Sequence, residues 1–136
     1  MTLVRVKYSD LNSRQKENYN FQKVAGELAD YGYNCLRLND DWQGADFIAC
    51  HINGDEFMKV QLKGRFTIDR KYKDKDIFIA FLDGEDCYLY PHDEVMKQVL
   101  AMNKINNSKA WIKTQAYSWP YISKWAAVLL LSLIHI

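Results

Sequence analysis

The chain is constrained most by two segments of alternating polarity, Asp46 to Ile52 and Glu56 to Lys63, which Asn53-Gly54 separates. Asn-Gly is the strongest short-range signal for a β-hairpin, because both central residues of the tight turn need a positive φ. A two-residue turn at this position sets Asp46 opposite Gln61 across the two strands. A four-residue loop from Asn53 to Glu56 would shift the pairing by two residues, whereas a three-residue loop would break the arrangement.

The same alternation separates a polar face of this hairpin from an apolar one. Lys63 points to the same face as Asp46 and Gln61, so an acid, an amide and a lysine cluster on it. The opposite face carries the apolar side chains of Phe47, Ala49, Met58, Val60 and Leu62. We expect the core to lie on this apolar side of the hairpin.

An amphipathic helix is predicted ahead of the hairpin, from Ser13 to Tyr31. Asn12 or Ser13 caps its first turn, and Gly32 ends it in a left-handed conformation. Its apolar side chains recur at helical spacing and are expected to face the core: Tyr19, Phe21, Val24, Ala25, Leu28 and Tyr31. A short strand from Tyr33 to Leu38 and a polar loop from Asn39 to Gly44 follow the helix.

The second half of the chain contains a continuous apolar run, Ile77 to Leu82, which is typical of a buried central strand. A strand from Cys87 to Tyr90 and a second helix from Asp93 to Met102 follow it. His92, just before this helix, is expected to be structural. Beyond Asn103 the pattern weakens, and the sequence does not decide whether the tryptophans there cover the sheet or form a partner surface.

Composition suits a single domain. With 136 residues, 49% of them hydrophobic, the chain is long enough to bury a core, and we assign residues 1–125 to one domain. A net charge of +1 excludes a histone-like polycation. The three cysteines have no metal-ligand spacing and cannot close a disulfide framework among themselves. Because the N-terminus also lacks the apolar core of a signal peptide, we predict a cytoplasmic location.

The C-terminal segment 126–136 needs separate treatment. Its apolar run from Ala126 to Ile134 is far shorter than the ~18–20 residues that span a bilayer, so we assign it no membrane role. Residues 131–136 also match the translation of a transposon-type sequencing adapter, CTG TCT CTT ATA CAC ATC. We therefore expect this segment to be a read-through scar, and we assign no chemistry to His135.

The hairpin and its flanks resemble the core of the PD-(D/E)XK nucleases. The residues that carry the resemblance are Gly44-Ala45-Asp46 and Val60-Gln61-Leu62-Lys63, and the Gln-x-Lys version is similar to the Mrr-type restriction and intron-encoded endonuclease branch. The resemblance covers about Ser13 to Tyr90 and includes a preceding helix with a glutamate, for which Glu27 is the candidate. It implies an α/β (α+β) fold of the restriction-endonuclease-like kind, a mixed β-sheet flanked by helices.

Two departures from the family pattern are present: Ala45 stands where the family name has proline, and Gln61 replaces the second acid. The resemblance implies metal-dependent hydrolysis of DNA phosphodiester bonds with Mg²⁺ (or Mn²⁺) as cofactor. Asp46 would be the main ligand, supported by Glu27, the amide oxygen of Gln61 and the carbonyl of Leu62. The loss of an acid at Gln61 is expected to weaken metal binding.

Lys63 is the remaining catalytic candidate of the motif. Its ammonium group would orient or deprotonate the attacking water, or stabilise charge developing on the phosphate. The alternative function is a catalytically weak module of the same fold that binds nucleic acid or serves in defence. The alternative for Glu27 is an ordinary exposed position on the helix.

A basic segment overlaps the end of the motif and consists of Lys63, Arg65, Arg70, Lys71, Lys73 and Lys75. Such side chains contact phosphates without reading sequence, and beside a phosphodiesterase-type site they indicate DNA as the partner, with a solvated loop as the alternative. Phe66 and Tyr72 either stack on bases or pack. Trp42, just before the motif, either approaches the DNA strand or packs in the core, which we expect. Cutting both strands of a duplex needs two sites, so a homodimer is one possible arrangement.

Overall fold

The structure is a computed structural model, and residues 1–133 of it are described. The strands are β1 (Tyr33–Trp42), β2 (Ala45–His51), β3 (Phe57–Leu62), β4 (Thr67–Asp69), β5 (Ile77–Asp83), β6 (Asp86–Pro91) and β7 (Ala116–Ser118). Within these residues, the larger sheet has five strands in the order β1-β2-β3-β5-β6, with β3 and β5 parallel and the other neighbours antiparallel. A smaller antiparallel sheet pairs β4 with β7.

The helices lie on both faces of the larger sheet. They are α1 (Ser13–Ala29), α2 (His92–Ala101), α3 (Lys109–Thr114) and α4 (Lys124–Leu133). Helix α1 packs on one face, and the other helices and the smaller sheet pack on the other face over β5 and β6. The predicted class, a mixed sheet flanked by helices, is confirmed.

Helix α1 has a well-defined start and a clear end. The side chain of Asn12 accepts a hydrogen bond from the Gln15 N–H, and the Gln15 side chain accepts one from the Asn12 N–H, both at 2.9 Å. This reciprocal pair satisfies two amides that the first turn would otherwise leave open. The helix ends at Ala29, whereas the sequence predicts an end at Tyr31. Gly32 has a φ of +85°, which is the left-handed conformation that the sequence predicts. Tyr31 therefore lies beyond the helix and is exposed, so its predicted place in the core is wrong.

The face of the larger sheet under α1 is the predicted apolar side of the hairpin. The buried side chains there are Val24, Leu28, Phe47, Ala49 and Val60, joined by Ala80 and Leu89. Tyr19 was also expected to face this core, but it is exposed. Its ring instead packs edge-to-face on Tyr8 of the N-terminal segment, with centroids 5.2 Å apart.

The opposite face is filled mainly by aromatic side chains. The ring of Phe66 stacks on Trp119 at 4.4 Å and meets Tyr90 edge-on at 5.4 Å. The Tyr90 hydroxyl accepts from the Thr67 N–H at 3.1 Å and donates to the Thr67 carbonyl at 2.6 Å, which joins the smaller sheet to the larger one. The tryptophans after Asn103 pack against this core and thus cover the sheet: Trp111, Trp119 and Trp125. The sequence had left that choice open.

Helix α4 crosses residue 125, where the sequence analysis ended the domain. Ala126 and Leu130 are fully buried in the same core as Phe66. Residues 134–136 of the predicted adapter segment lie outside the described residues, and its origin stays a prediction. Within residues 1–133 the structure has no helix that is both long enough and apolar enough to cross a membrane.

The hairpin of β2 and β3 has the register that the sequence predicts. Phe47 pairs with Val60 and Cys50 with Phe57, and the same register sets Asp46 opposite Gln61. Asp46 and Gln61 are both half-buried, and both line one cleft. The predicted juxtaposition of the acid and the amide is therefore present.

The turn of this hairpin differs from the expected one. The His51 carbonyl accepts from the Gly54 N–H at 3.0 Å, and the His51 N–H donates to the Glu56 carbonyl at 2.9 Å. The loop between His51 and Glu56 thus has four residues, of which Gly54 has a positive φ of +79° and Asn53 does not. A two-residue turn centred on Asn53-Gly54 is wrong, although the four-residue loop from Ile52 to Asp55 preserves the pairing.

The tight two-residue turn lies instead between β1 and β2. Trp42 pairs with Ala45 around Gln43 and Gly44, whose φ values are +55° and +86°. Two positive φ values in succession are the mark of a tight hairpin turn that matches strand twist. The predicted polar loop from Asn39 to Gly44 is thus mostly strand, with an irregular stretch between Arg37 and Trp42.

His92 is a structural residue, as expected. It is fully buried, and its Nε2 accepts a hydrogen bond from the Asp69 N–H at 3.0 Å. Since Nε2 accepts, the ring proton lies on Nδ1, which is 3.0 Å from a carboxylate oxygen of Asp93. Burial lowers the pKa of His92, and this effect outweighs the opposite influence of Asp93 and Asp69.

We predict that Phe66→Ala lowers the free energy of unfolding by about 3–5 kcal/mol, because it leaves a cavity between the two sheets. The matched control is Phe57→Ala: Phe57 is exposed, and its loss should change the free energy by less than about 0.5 kcal/mol. Urea-induced unfolding of both variants measures the difference. Equal losses in the two variants would contradict the packing described for Phe66.

We also predict that the protein loses stability as the pH falls below the ordinary histidine pKa of 6.5. In the unfolded chain His92 takes up a proton near pH 6.5, whereas in the folded chain it does so only at lower pH. The contribution of neutral His92 to the free energy of unfolding is therefore complete above pH 6.5 and is lost as the pH falls below this value. Unfolding at about pH 7.5 and about pH 5 should show a smaller pH dependence in His92→Gln than in the wild type. Phe57→Ala, as control, removes no titratable group and should keep the wild-type dependence; identical slopes in all three proteins would contradict the prediction.

Candidate active-site cleft

A polar cleft of about 690 Å³ opens at one end of the larger sheet. It lies where β1 and β3 end and β2 begins, and the first half of α1 forms one wall. Its charged lining residues are Arg14, Glu17, Arg37, Asp40, Asp46 and Lys63. Three basic and three acidic side chains therefore line a space that also contains Gln61 and the main chain from Leu62 to Gly64.

The carboxylate of Asp46 is held in place by the neighbouring strand. The Leu62 N–H donates to Asp46 Oδ2 at 2.8 Å. The main chain before Asp46 is equally constrained, because a Cβ atom on Gly44 would lie 3.1 Å from the ring of Tyr72. Only glycine combines this close packing with the left-handed backbone at this position. The hydrogen bond from Leu62 and the constrained main chain therefore both restrict the position of the Asp46 carboxylate.

Gln61 and Leu62 lie beside this carboxylate and interact with each other. The Gln61 amide nitrogen donates to the Leu62 carbonyl at 3.3 Å. A carbonyl oxygen has a second lone pair, and the amide oxygen of Gln61 is itself an acceptor. The predicted oxygen donors of Asp46, Gln61 and Leu62 therefore belong to one cleft.

Lys63 reaches the cleft from the end of β3. Its ammonium nitrogen lies 5.2 Å from the ring centroid of Tyr72, and that of Lys71 lies 5.1 Å from the same ring. Burial raises the pKa of Tyr72, and the negative charge of Asp46 acts in the same direction. Tyr72 thus packs as a buried neutral ring, which decides between the two roles that the sequence left open for it. Phe66 is likewise buried and packs.

Glu27 does not line this cleft. It lies in the second half of α1, where its charge acts together with burial to raise the pKa of Cys87 on β6 to about 11. Strand β6 is three strands away from β2, which is about 14 Å across a sheet. The structure therefore does not bring Glu27 to Asp46, and Glu27 is an exposed helix residue, the alternative that the sequence had offered.

The glutamate of α1 that does line the cleft is Glu17. It lies ten residues before Glu27, which is about 15 Å along a helix. Sequence reasoning missed it because the helical pattern shows which face of α1 is apolar but not where the helix crosses the sheet. Its position one turn into a capped helix was the only available signal.

Arg37 is a second cleft residue that the sequence did not single out. Its guanidinium donates to Asn18 Oδ1 at 2.5 Å and lies over the ring of Phe21 at 5.2 Å. Both contacts restrict a long side chain that is otherwise exposed. Arg14 from the first turn of α1 also lines the cleft, so two arginines contribute positive charge to it besides Lys63.

The basic segment lies beside the cleft rather than in it. Lys63 lines the cleft and is half-buried, as is Lys75, whereas the segment's other members are exposed: Arg65, Arg70, Lys71 and Lys73. Lys71 forms a 3.8 Å ion pair with Asp69, and the negative charge of Asp69 weakens the attraction of Lys71 for an anionic ligand. Lys59 on β3 donates to the Lys75 carbonyl. Lys63 and Lys71 both lie over the Tyr72 ring, so this part of the basic segment adjoins the cleft, and its exposed cations suit phosphate groups.

Comparison with protein-family models, with curated proteins and with solved structures finds no match for this chain. The chemistry of the cleft therefore has to be inferred from its own residues. Those residues include the anchored carboxylate of Asp46, the side-chain amide of Gln61, the main-chain carbonyl of Leu62 and the side chain of Lys63.

Proposed function

We propose that this protein is a metal-dependent DNA endonuclease that hydrolyses phosphodiester bonds in the cleft. The observation that carries the proposal is the convergence of Asp46, Gln61 and Lys63 on one cleft, with the Leu62 N–H anchoring the carboxylate. This arrangement matches the residue types that the PD-(D/E)XK resemblance implies. The exposed basic side chains beside the cleft support a polyanionic substrate.

The donor set favours Mg²⁺ (or Mn²⁺) as the cofactor. Within residues 1–133, no three His, Cys, Asp or Glu side chains are grouped closely enough to hold a metal ion. Mg²⁺ does not need such a cage, since it is usually bound by one or two carboxylates together with waters and substrate phosphates. Asp46 would be the main ligand, with Glu17, the Gln61 amide oxygen and the Leu62 carbonyl as further oxygen donors. Bound there, the cation would supply Lewis-acid chemistry at the phosphate.

The protein side chains would perform the remaining tasks. Lys63 would hydrogen-bond the attacking water or the phosphate oxygens on which charge develops, because its ammonium group is held at the edge of the cleft by the Tyr72 ring. Arg37 would bind a second phosphate, because Asn18 already orients its guanidinium. The two positive charges would thus bind two phosphates of the strand in the cleft.

A second candidate is a catalytically weak module of the same fold that binds nucleic acid. One observation favours it: Gln61 stands where an acid would add negative charge opposite Asp46. A cleft with three basic and three acidic side chains also has no net negative charge to concentrate cations. Both candidates share the basic surface, so cleavage itself must separate them.

We predict that Asp46→Asn and Lys63→Met each reduce metal-dependent cleavage by about 100-fold or more. Asp46→Asn keeps an oxygen for the Leu62 N–H, and Lys63→Met keeps the packing on Tyr72, so both variants should fold. The measurement is nicking of supercoiled, linear and branched DNA with Mg²⁺ or Mn²⁺. The control is Lys97→Ala, an exposed lysine on α2, which should cut like the wild type.

Two results would count against the enzyme. Cutting that persists in Asp46→Asn and Lys63→Met would assign the activity to another site or to a contaminant. Salt-sensitive DNA binding without cutting in any metal would support the second candidate and exclude the first.

We predict further that Glu17→Gln raises the Mg²⁺ concentration needed for half-maximal cleavage by about tenfold, since it removes a carboxylate from the cleft. Glu27→Gln is the matched comparison, because it makes the same chemical change on the same helix beside Cys87. Titration of cleavage with Mg²⁺ compares the two variants. A larger effect from Glu27→Gln would show that α1 approaches the site by its second half, contrary to the structure.

A further inference from the structure

We propose that Trp42 is a stacking platform for an unpaired base, so that the substrate is DNA with single-stranded nucleotides beside the cut. This inference rests on the proposed function, since it assigns the class of DNA that the cleft accepts. Its basis is an exposed aromatic ring on a rigid turn next to Asp46.

The exposure of Trp42 sets it apart from the other tryptophans. Its side chain is 53% exposed, whereas Trp111 is buried and Trp119 and Trp125 are half-buried against the core. The expectation that Trp42 packs in the core is therefore wrong. More than half of the Trp42 side chain is thus accessible to a ligand.

The main chain holds Trp42 in a fixed position. Trp42 pairs with Ala45 across the turn, and both turn residues, Gln43 and Gly44, have positive φ values. A non-glycine residue such as Gln43 is uncommon in this conformation and persists where the surroundings impose it. The packing of Tyr72 against Gly44 is that constraint. A ring on such a turn loses little freedom when it binds.

The position of Trp42 links it to the cleft. Trp42 does not itself line the cleft, but it lies between Asp40 and Asp46 along the hairpin, and both of these residues do. The ammonium group of Lys59 lies 5.9 Å from the indole centroid and is itself fixed by its hydrogen bond to the Lys75 carbonyl. An aromatic ring beside a fixed positive charge is the pairing with which proteins hold a base and its phosphate.

The geometry favours an unpaired base over a paired one. In an intact duplex the faces of the bases are covered by their neighbours, so a side chain on a short turn has no free face to stack on. Stacking on aromatic rings is available to every base in a single strand and is tolerant of sequence. The Trp42 ring thus implies a preference for DNA structure rather than for DNA sequence.

The test measures binding without cleavage, using the wild-type chain of 136 residues in EDTA at low salt. The probes are a single-stranded oligo-dT and a duplex of the same length, and intrinsic tryptophan fluorescence reports on Trp42 as the exposed indole. We expect oligo-dT to quench the emission. Trp42→Ala should weaken oligo-dT binding by about tenfold and duplex binding by less than about twofold, while Trp42→Phe should retain most of the affinity. Phe57→Ala removes an exposed ring at the start of β3, whereas the cleft lies at the end of this strand. This variant should bind both probes with the affinity of the wild type.

The outcomes distinguish the stacking role of Trp42 from the endonuclease proposal. Equal weakening of oligo-dT and duplex binding, or tight oligo-dT binding without quenching, would overturn the stacking role. Cleavage of intact duplex that depends on Asp46 but not on Trp42 would also overturn it and leave the endonuclease proposal standing. Selective loss of oligo-dT binding in Trp42→Ala, with no cutting in any metal, would support the stacking role and remove the enzymatic one.

Discussion

The packing of Tyr72 against Gly44 is the contact on which the rest of the cleft depends. It buries the tyrosine ring under the turn between β1 and β2, and it leaves no room for a side chain at Gly44. The turn then determines where β2 begins, and Asp46 is the second residue of that strand. The ammonium groups of Lys63 and Lys71 lie over the same ring. One buried side chain thus contacts both the turn before Asp46 and two of the basic side chains.

Tyr72 keeps its position against Gly44 because it also packs in the hydrophobic core. Its ring also meets His92 edge-on at 5.5 Å, and His92 fixes the Asp69 N–H just before the 3-10 turn that contains Tyr72. The basic segment is therefore not a free loop, since its middle is anchored by a buried aromatic residue and a buried histidine. The proposed nucleic-acid surface rests on this anchored segment, which explains how exposed lysines can keep a definite position relative to Asp46.

Local patterns predicted a good part of this arrangement. The alternation in β2 and β3 was sufficient to set Asp46 opposite Gln61, because a slip by one residue would have exposed Phe47 and Val60. The cap at Asn12 and the stop at Gly32 were likewise predictable, since both depend on residues close in sequence. The turn at Asn53-Gly54 was not, because a four-residue loop satisfies the same register with only Gly54 in the left-handed region.

By itself, the sequence determined the strand register, the apolar face and the group of Asp46, Gln61 and Lys63, because these follow from a two-residue period and from neighbouring residues. Only the tertiary structure decided that Glu17 lines the cleft while Glu27 lies near Cys87, since the crossing of α1 over the sheet is set by side-chain packing. The same holds for Trp42: its sequence pattern does not distinguish core from surface, and the folded chain leaves its side chain exposed. Long-range packing, which no local period encodes, made these choices.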